Sequence, residues 1–194
     1  MPSNFIEWIK YWYYYFLRDI RLRGSLIWLK KLGNHLNIPV IVRDKFKTIL
    51  VKKGFSLKEI GYRSYDIMWK YTMLYLGNNK SCICDTSLIQ PHGLSRIEYI
   101  KKHTQAKIII IECYCSDKKI HKKRLISRKK IPYYYGIKTN EQFKIFVKEN
   151  KKWDNFLFPY CTIRVDTCKK LNIKDFSLFI KDIILLDGSN LYYY

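Results

Sequence analysis

Four isoleucines in succession, Ile108 to Ile111, sit inside an apolar run from Lys107 to Cys113. Strand side chains alternate between faces, so a run without polar alternation belongs to a strand covered on both sides. Such strands occur in parallel sheets held between helix layers, and the rest of the chain is punctuated to match. Leu26 to Leu36 reads as a helix with Leu29, Leu32 and Leu36 on one face, followed by a short buried strand from Ile38 to Val42. Lys45 to Lys53 reads as a short helix ended by Gly54. Leu57 to Leu76 reads as a long helix whose stripe includes Ile60, Ile67, Met68, Tyr71 and Leu74. A strand follows at Cys82 to Asp85, then a helix from Pro91 to His103 and the isoleucine strand. Ser116 is placed to cap a basic helix running to about Arg128. Glu141 to Trp153 is helical in pattern, Thr162 to Val165 strand-like, and Lys174 to Leu186 helical again. The expected fold class is α/β: three α/β/α layers around a mostly parallel sheet of about five strands.

The 194 residues, 48% of them apolar, suffice for one sizeable core. One domain is expected over residues 25–186. An atypical aromatic and basic segment at 1–24 stands in place of a first strand, and 187–194, with Tyr192 to Tyr194, reads as a frayed tail. Within the first segment, Phe5 to Leu17 is dense in aromatics but is interrupted by Glu7 and Lys10. It falls short of the roughly 20 apolar residues a spanning helix needs, and it lacks the layout of a signal peptide.

Lys and Arg number 37 against 16 Asp and Glu, a net charge of +21. Charge of that size points toward nucleic acid, an anionic surface or phosphorylated substrates. It also fits a bias of the whole composition, in which Lys, Ile, Tyr and Asn abound while Gly (8) and Pro (5) are scarce. The six cysteines include no C-x-x-C and no histidine at ligand spacing, which excludes the usual zinc sites. Cys82 and Cys113 lie in apolar runs, so reduced, buried thiols of an intracellular, cytoplasmic protein are expected.

Three predicted strands deliver a carboxylate at their C-terminal ends: Asp44, Asp85 and Asp166. Ligands of open parallel sheets bind outside those ends. Aspartate is also common in turns and at helix starts, so each of the three has a capping reading beside the functional one.

Taken in order, Val42-Arg43-Asp44-Lys45-Phe46-Lys47, Ser64-Tyr65-Asp66-Ile67-Met68-Trp69, Cys84-Asp85-Thr86-Ser87-Leu88, Ile111-Glu112-Cys113, His121 to Arg128 and Val165-Asp166-Thr167 form a pattern. It resembles the P-loop kinases grouped around zeta toxins and the kinase domain of polynucleotide kinases, and is most similar to plant-type P-loop ATPases of that group. The resemblance covers roughly Leu29 to Ile184. It implies ATP and Mg²⁺ as cofactors and phosphoryl transfer to an acceptor hydroxyl. It further implies that Asp44 orients or deprotonates that hydroxyl, that Lys47, Thr86 and Ser87 contact the acceptor, and that Asp85 holds Mg²⁺. Arg124 and Arg128 match the arginines that close over the phosphates; Gly24, Ser25, Arg128, Asp166 and Thr167 match the nucleotide side. The partners implied are a nucleotide and a phosphate-accepting small molecule or nucleic acid.

The pattern breaks at the phosphate loop. G-x-x-G-x-G-K-[ST] aligns with Asp19 to Leu26, where only Gly24 keeps its glycine. Asp19 and Leu22 replace the first two glycines, Ser25 the lysine and Leu26 the metal-binding hydroxyl. Bulky side chains obstruct the approach of phosphate to backbone N–H groups, and Arg21 and Arg23 restore charge without restoring that cradle. Impaired or lost phosphoryl transfer is therefore expected, with a non-enzymatic basic module for nucleic acid or another polyanion as the alternative.

Overall fold

A computed structural model describes the backbone of residues 13–19, 25–86, 88, 93–104, 106–126, 137, 139–150, 157–186 and 191–193. The expected site residues Gly24, Ser87 and Arg128 lie outside the described residues, as does the side chain of Ser25. The order of elements is β1 (Tyr13–Asp19), α1 (Ser25–Leu36), β2 (Val40–Val42), α2 (Arg43–Lys52), α3 (Leu57–Gly77), β3 (Cys82–Thr86) and α4 (Gly93–His103). There follow β4 (Lys107–Tyr114), α5 (Lys118–Ile126), α6 (Asn140–Asn150), β5 (Cys161–Asp166), α7 (Ile173–Leu186) and β6 (Leu191–Tyr193).

All strand pairs are parallel and form one sheet in the order β2-β3-β1-β4-β5-β6. The isoleucine run divides its side chains between two cores. Ile109, Ile111 and Cys113 pack with Leu29 and Leu32 of α1 and Phe176, Ile180 and Ile183 of α7. Ile108 and Ile110 pack on the other face with Met68, Trp69 and Leu76 of α3 and Ile97 and Ile100 of α4. The three layers follow from this division.

Several expectations are corrected. The sheet has six described strands rather than about five. Tyr13–Asp19 does not merely stand in for a first strand; it is the strand, paired on one side with β3 and on the other with β4. Aromatic residues suit a pleated surface, which is why Tyr-Tyr-Tyr-Phe-Leu can occupy the middle of a sheet. Leu191–Tyr193 belongs to no frayed tail, because it pairs with Thr162 to Arg164 as the edge strand β6. On α3 the buried stripe is Ile60, Ser64, Met68, Trp69, Thr72 and Leu76, while Tyr71 and Leu74 are exposed. Polar Thr72 can be buried because its hydroxyl donates to the Met68 carbonyl at 2.8 Å and lies 3.1 Å from Cys84 Sγ.

Gly33 is required by close approach. A Cβ there would sit 2.6 Å from Val40 Cγ2 and 2.8 Å from the Ile38 carbonyl oxygen, so α1 lies against the entrance to β2 only without a side chain at that point.

Candidate functional site

The C-terminal edge of a parallel sheet gathers the loops that follow each strand. Here β1 leads through residues 20–24, outside the described residues, into α1, whose first turn holds no acidic side chain. A helix N-terminus favours an anion.

On the β2 side, α2 starts directly from the strand. Its N-cap is Val42, in extended conformation and without a side-chain cap bond, so the capping reading of Asp44 does not hold. Asp44 instead lies in the first helical turn and accepts a hydrogen bond from Lys47 Nζ at 2.6 Å, with its side chain about half exposed. The two expected acceptor-side residues therefore meet in one ion pair.

Arg43, beside Asp44, carries an arrangement that sequence reasoning missed. Its Nε donates to Ser64 Oγ at 3.1 Å, its Nη2 donates to the Gly61 carbonyl at 2.8 Å, and its guanidinium lies 3.3 Å from the Tyr65 ring centroid. The next residue of that stretch, Asp66, accepts from Arg96 Nη2 of α4 at 3.1 Å. Ser64-Tyr65-Asp66 is thus a bracket on α3 that fixes the start of α2 with two residues and α4 with the third. The signal available in sequence was an arginine next to the strand-end aspartate together with a polar triplet inside an apolar helix stripe.

In β3, half-buried Asp85 is in register with Val42 of β2 and Leu17 of β1. Thr86, in register with Arg18 of β1, is 4% exposed, and its Oγ1 has no hydrogen-bond partner among the described residues. Buried hydroxyls are normally satisfied, so an open donor and acceptor at a strand end draws attention to what could complete it. Glu112 of β4 occupies the same register row, facing Arg18 on one side and Arg164 of β5 on the other. It is buried, and Arg164 Nε lies 3.3 Å from its Oε2.

On the β4–β5 side, Asp166 binds the loop that follows β4. Its Oδ2 accepts from Ser116 Oγ at 2.6 Å, and its Oδ1 accepts from the backbone N–H of Ser116 at 3.2 Å and of Cys168 at 3.0 Å. Burial opposes the charge on Asp166, but these bonds outweigh it and hold the carboxyl below its ordinary value of 3.8. The expected cap of α5 is corrected here. Ser116 is committed to Asp166, and Asp117 Oδ1 caps the helix by accepting from the N–H groups of Lys119 (2.7 Å) and Ile120 (3.0 Å). Arg124 reaches back to the turn after β5, donating from Nη1 to Thr167 Oγ1 at 3.1 Å and from Nη2 to the Thr167 carbonyl at 3.0 Å. Thr167 in turn donates from both its hydroxyl and its backbone N–H to the Tyr114 carbonyl, each at 2.8 Å.

The edge thus has two clusters flanking β1: Asp44, Lys47, Asp85 and Thr86 on one side, and Asp166, Thr167 and Arg124 on the other. Among the described residues no group of three or more His, Cys, Asp or Glu side chains is arranged to hold a metal, and no helix is long and apolar enough to cross a membrane.

No protein-family model matches the sequence, and no curated protein is detectably similar to it. Solved structures do share its fold. A kinase-like protein from Chloroflexus aurantiacus superposes with a TM-score of 0.66 at 11% identity, covering 88% of this chain and 97% of that one. Shikimate kinase from Bacteroides thetaiotaomicron gives 0.58 at 12% identity, covering 89% and 98%, and a sugar kinase from Janibacter gives 0.55 at 11% identity, covering 91% and 95%. The chain shares the α/β fold of these kinases.

Proposed function

We propose that this chain is a kinase-like nucleotide-binding protein, related to the zeta-toxin and polynucleotide-kinase group, whose capacity for phosphoryl transfer is impaired at the phosphate loop. The observation that carries the reading is the strand order. It supports reading the polar residues after β2 and on β3 as the acceptor side and those after β4 and β5 as the nucleotide side, with β1 between the two pairs of strands. Phosphoryl transfer needs its two substrates aligned across one such point.

In this reading Asp44 orients the acceptor hydroxyl and takes its proton, and Lys47, already 2.6 Å from that carboxylate, neutralises the incoming phosphate. The open Thr86 hydroxyl completes its hydrogen bonding on the acceptor, with Ser87 beside it. Arg43 keeps Asp44 in place through the α3 bracket. Asp166 and Thr167 shape the nucleotide side, with Arg124 acting through Thr167 and Arg128 contacting phosphate.

The donor set fits Mg²⁺ only as an outer-sphere site. Asp85 is one half-buried carboxylate, and Leu26 in the first turn of α1 provides no hydroxyl ligand. Bound with its nucleotide, the ion would offset phosphate charge. Gly24 would remain as the one motif residue in register, with Ser25 a contact in place of the lysine, and without that lysine and the other glycines the cradle is too weak for efficient transfer.

A thermal-shift titration tests this. Mg·ATP is expected to leave the melting temperature unchanged at micromolar concentration and to raise it only at millimolar concentration. Clear stabilisation at micromolar concentration would overturn the claim of an impaired loop, and none at any concentration would overturn nucleotide binding.

A second reading has its own support. Lys118, Lys119, Lys122, Lys123 and Arg124 make α5 a basic helix without an acidic residue, and exposed Lys169 and Lys170 lie in the turn after β5. A polyanion bound there would dissociate steeply as salt rises, through counterion release, whereas a nucleotide held in a pocket would show a saturable, Mg²⁺-linked response.

A further inference from the structure

We propose that Cys115 and Cys168 are a redox-responsive pair, which a small-molecule disulfide converts to an intramolecular disulfide joining the loop after β4 to the turn after β5. Cys115 is the first residue beyond β4, and Cys168 stands two residues beyond β5. Register brings these loops together, because Tyr114 pairs with Asp166 at the ends of the two strands. The Asp166 carboxylate then fixes both loops by accepting from Ser116 on one side and from the Cys168 N–H on the other. The outcome is a pair of free thiols with their sulfurs 2.7 Å apart.

Access distinguishes this pair from the other four cysteines. Cys82, Cys84, Cys113 and Cys161 are buried, whereas Cys115 and Cys168 are half-buried at the sheet edge. The edge is cationic, with Lys118, Lys119, Lys169 and Lys170 exposed nearby in sequence, which favours an anionic oxidant such as oxidised glutathione. Burial, and then the Cys168 sulfur, push the Cys115 thiol up, which slows the exchange, while the 2.7 Å separation lets whichever sulfur reacts first be attacked by the other. The Cys168 thiolate attacks one sulfur of glutathione disulfide, forms a mixed disulfide and expels one glutathione thiolate. The Cys115 thiolate then attacks Cys168 Sγ and expels the second glutathione. Two electrons and two protons pass from the protein to the oxidant, and a dithiol reductant reverses the reaction.

The bond would close the base of a 53-residue excursion. That excursion runs out through α5 and α6, where Leu125, Ile137 and Phe143 form a small core, and returns to the sheet through β5. In the reduced protein the β4–β5 pairing holds its returning end, and Arg124 and Asp166 add hydrogen bonds at its base; the disulfide adds a covalent tie at the same place.

The test uses the purified full chain, incubated with oxidised glutathione, alkylated and examined by intact mass and peptide mapping. The expected result is loss of two of the six thiols, a Cys115–Cys168 cross-linked peptide, restoration by dithiothreitol, and a melting temperature roughly 5 °C or more higher when oxidised. Cys115→Ser and Cys168→Ser should each abolish the cross-link and the shift. Six alkylatable thiols after oxidation, or stable glutathione adducts on both residues without a cross-link, would overturn the proposal. The wild-type map decides this even if a variant fails to fold, and it requires no nucleotide, so it is independent of the function proposed above.

Discussion

Arg43 shows how much a single side chain at this edge depends on its shape as well as its charge. The guanidinium spans Ser64 Oγ and the Gly61 carbonyl with its centre 3.3 Å from the Tyr65 ring centroid, and only a planar fork can satisfy both contacts and the ring together. Arg43→Lys keeps the charge but gives up one hydrogen bond and the stacking. The substitution is expected to lower unfolding free energy by about 1–2 kcal/mol, measured by urea denaturation with the m-value unchanged. A variant within ~0.5 kcal/mol of wild type would mean that the bracket is incidental to the fold. None of this was legible from Val42-Arg43-Asp44 alone, because the partners lie 18 and 21 residues away on another helix. Asp44 was legible as a strand-end carboxylate, yet its nearest reason for being there, the Lys47 pair, depends on α2 starting at Arg43 without a capping residue.

At the scale of elements, long apolar patterns were readable and their ends were not. Burial of Ile108 to Ile111 on both faces follows from the run itself, whatever the neighbours are. A cap is instead a contest between adjacent side chains, and Asp117 takes α5 because Asp166, 50 residues distant, has already engaged Ser116. β6 is three residues long and owes its strand conformation to pairing with β5, a cause that lies outside its own sequence. The Asp166 junction between β5 and the loop after β4 carries a pH signature. Its carboxyl is held below its ordinary value, so the stabilisation is complete above the unfolded-state value of 3.8 and is lost as pH falls through the lower folded-state value. Asp166→Asn is expected to cost about 2 kcal/mol at neutral pH and to flatten the fall in melting temperature between pH 5 and pH 2 relative to wild type. Parallel wild-type and variant curves over that range would show that the acid sensitivity arises elsewhere, for example at Glu59 or Glu141, whose hydrogen bonds also lower them.

Across the whole molecule, the dominant electrostatic fact is repulsion. Lys and Arg outnumber Asp and Glu by 21 on 194 residues, and among the described residues carboxylates form ion pairs in Lys47–Asp44, Arg63–Glu59, Arg96–Asp66 and Arg164–Glu112. The first three are at least partly exposed and stabilise little on their own. Excess positive charge raises the free energy of the compact state, and the unfolded chain relieves it by spreading the charge over a larger volume. Salt screens that repulsion over a Debye length of about 10 Å at 0.1 M and weakens these exposed pairs far less in total. The chain is therefore expected to become more stable as NaCl rises from ~20 mM to ~500 mM. A screening gain on the order of 1 kcal/mol would raise the melting temperature by about 2–4 °C in a domain of this size. The same logic separates self-repulsion from a bound partner. A polyanion such as heparin should stabilise at low salt by occupying the basic surface, and that gain should vanish at ~500 mM NaCl while the salt-induced gain persists. A melting temperature that falls steadily with salt would show that attractive pairs outweigh the repulsion, and that the basic composition is organised into networks rather than spread over the surface.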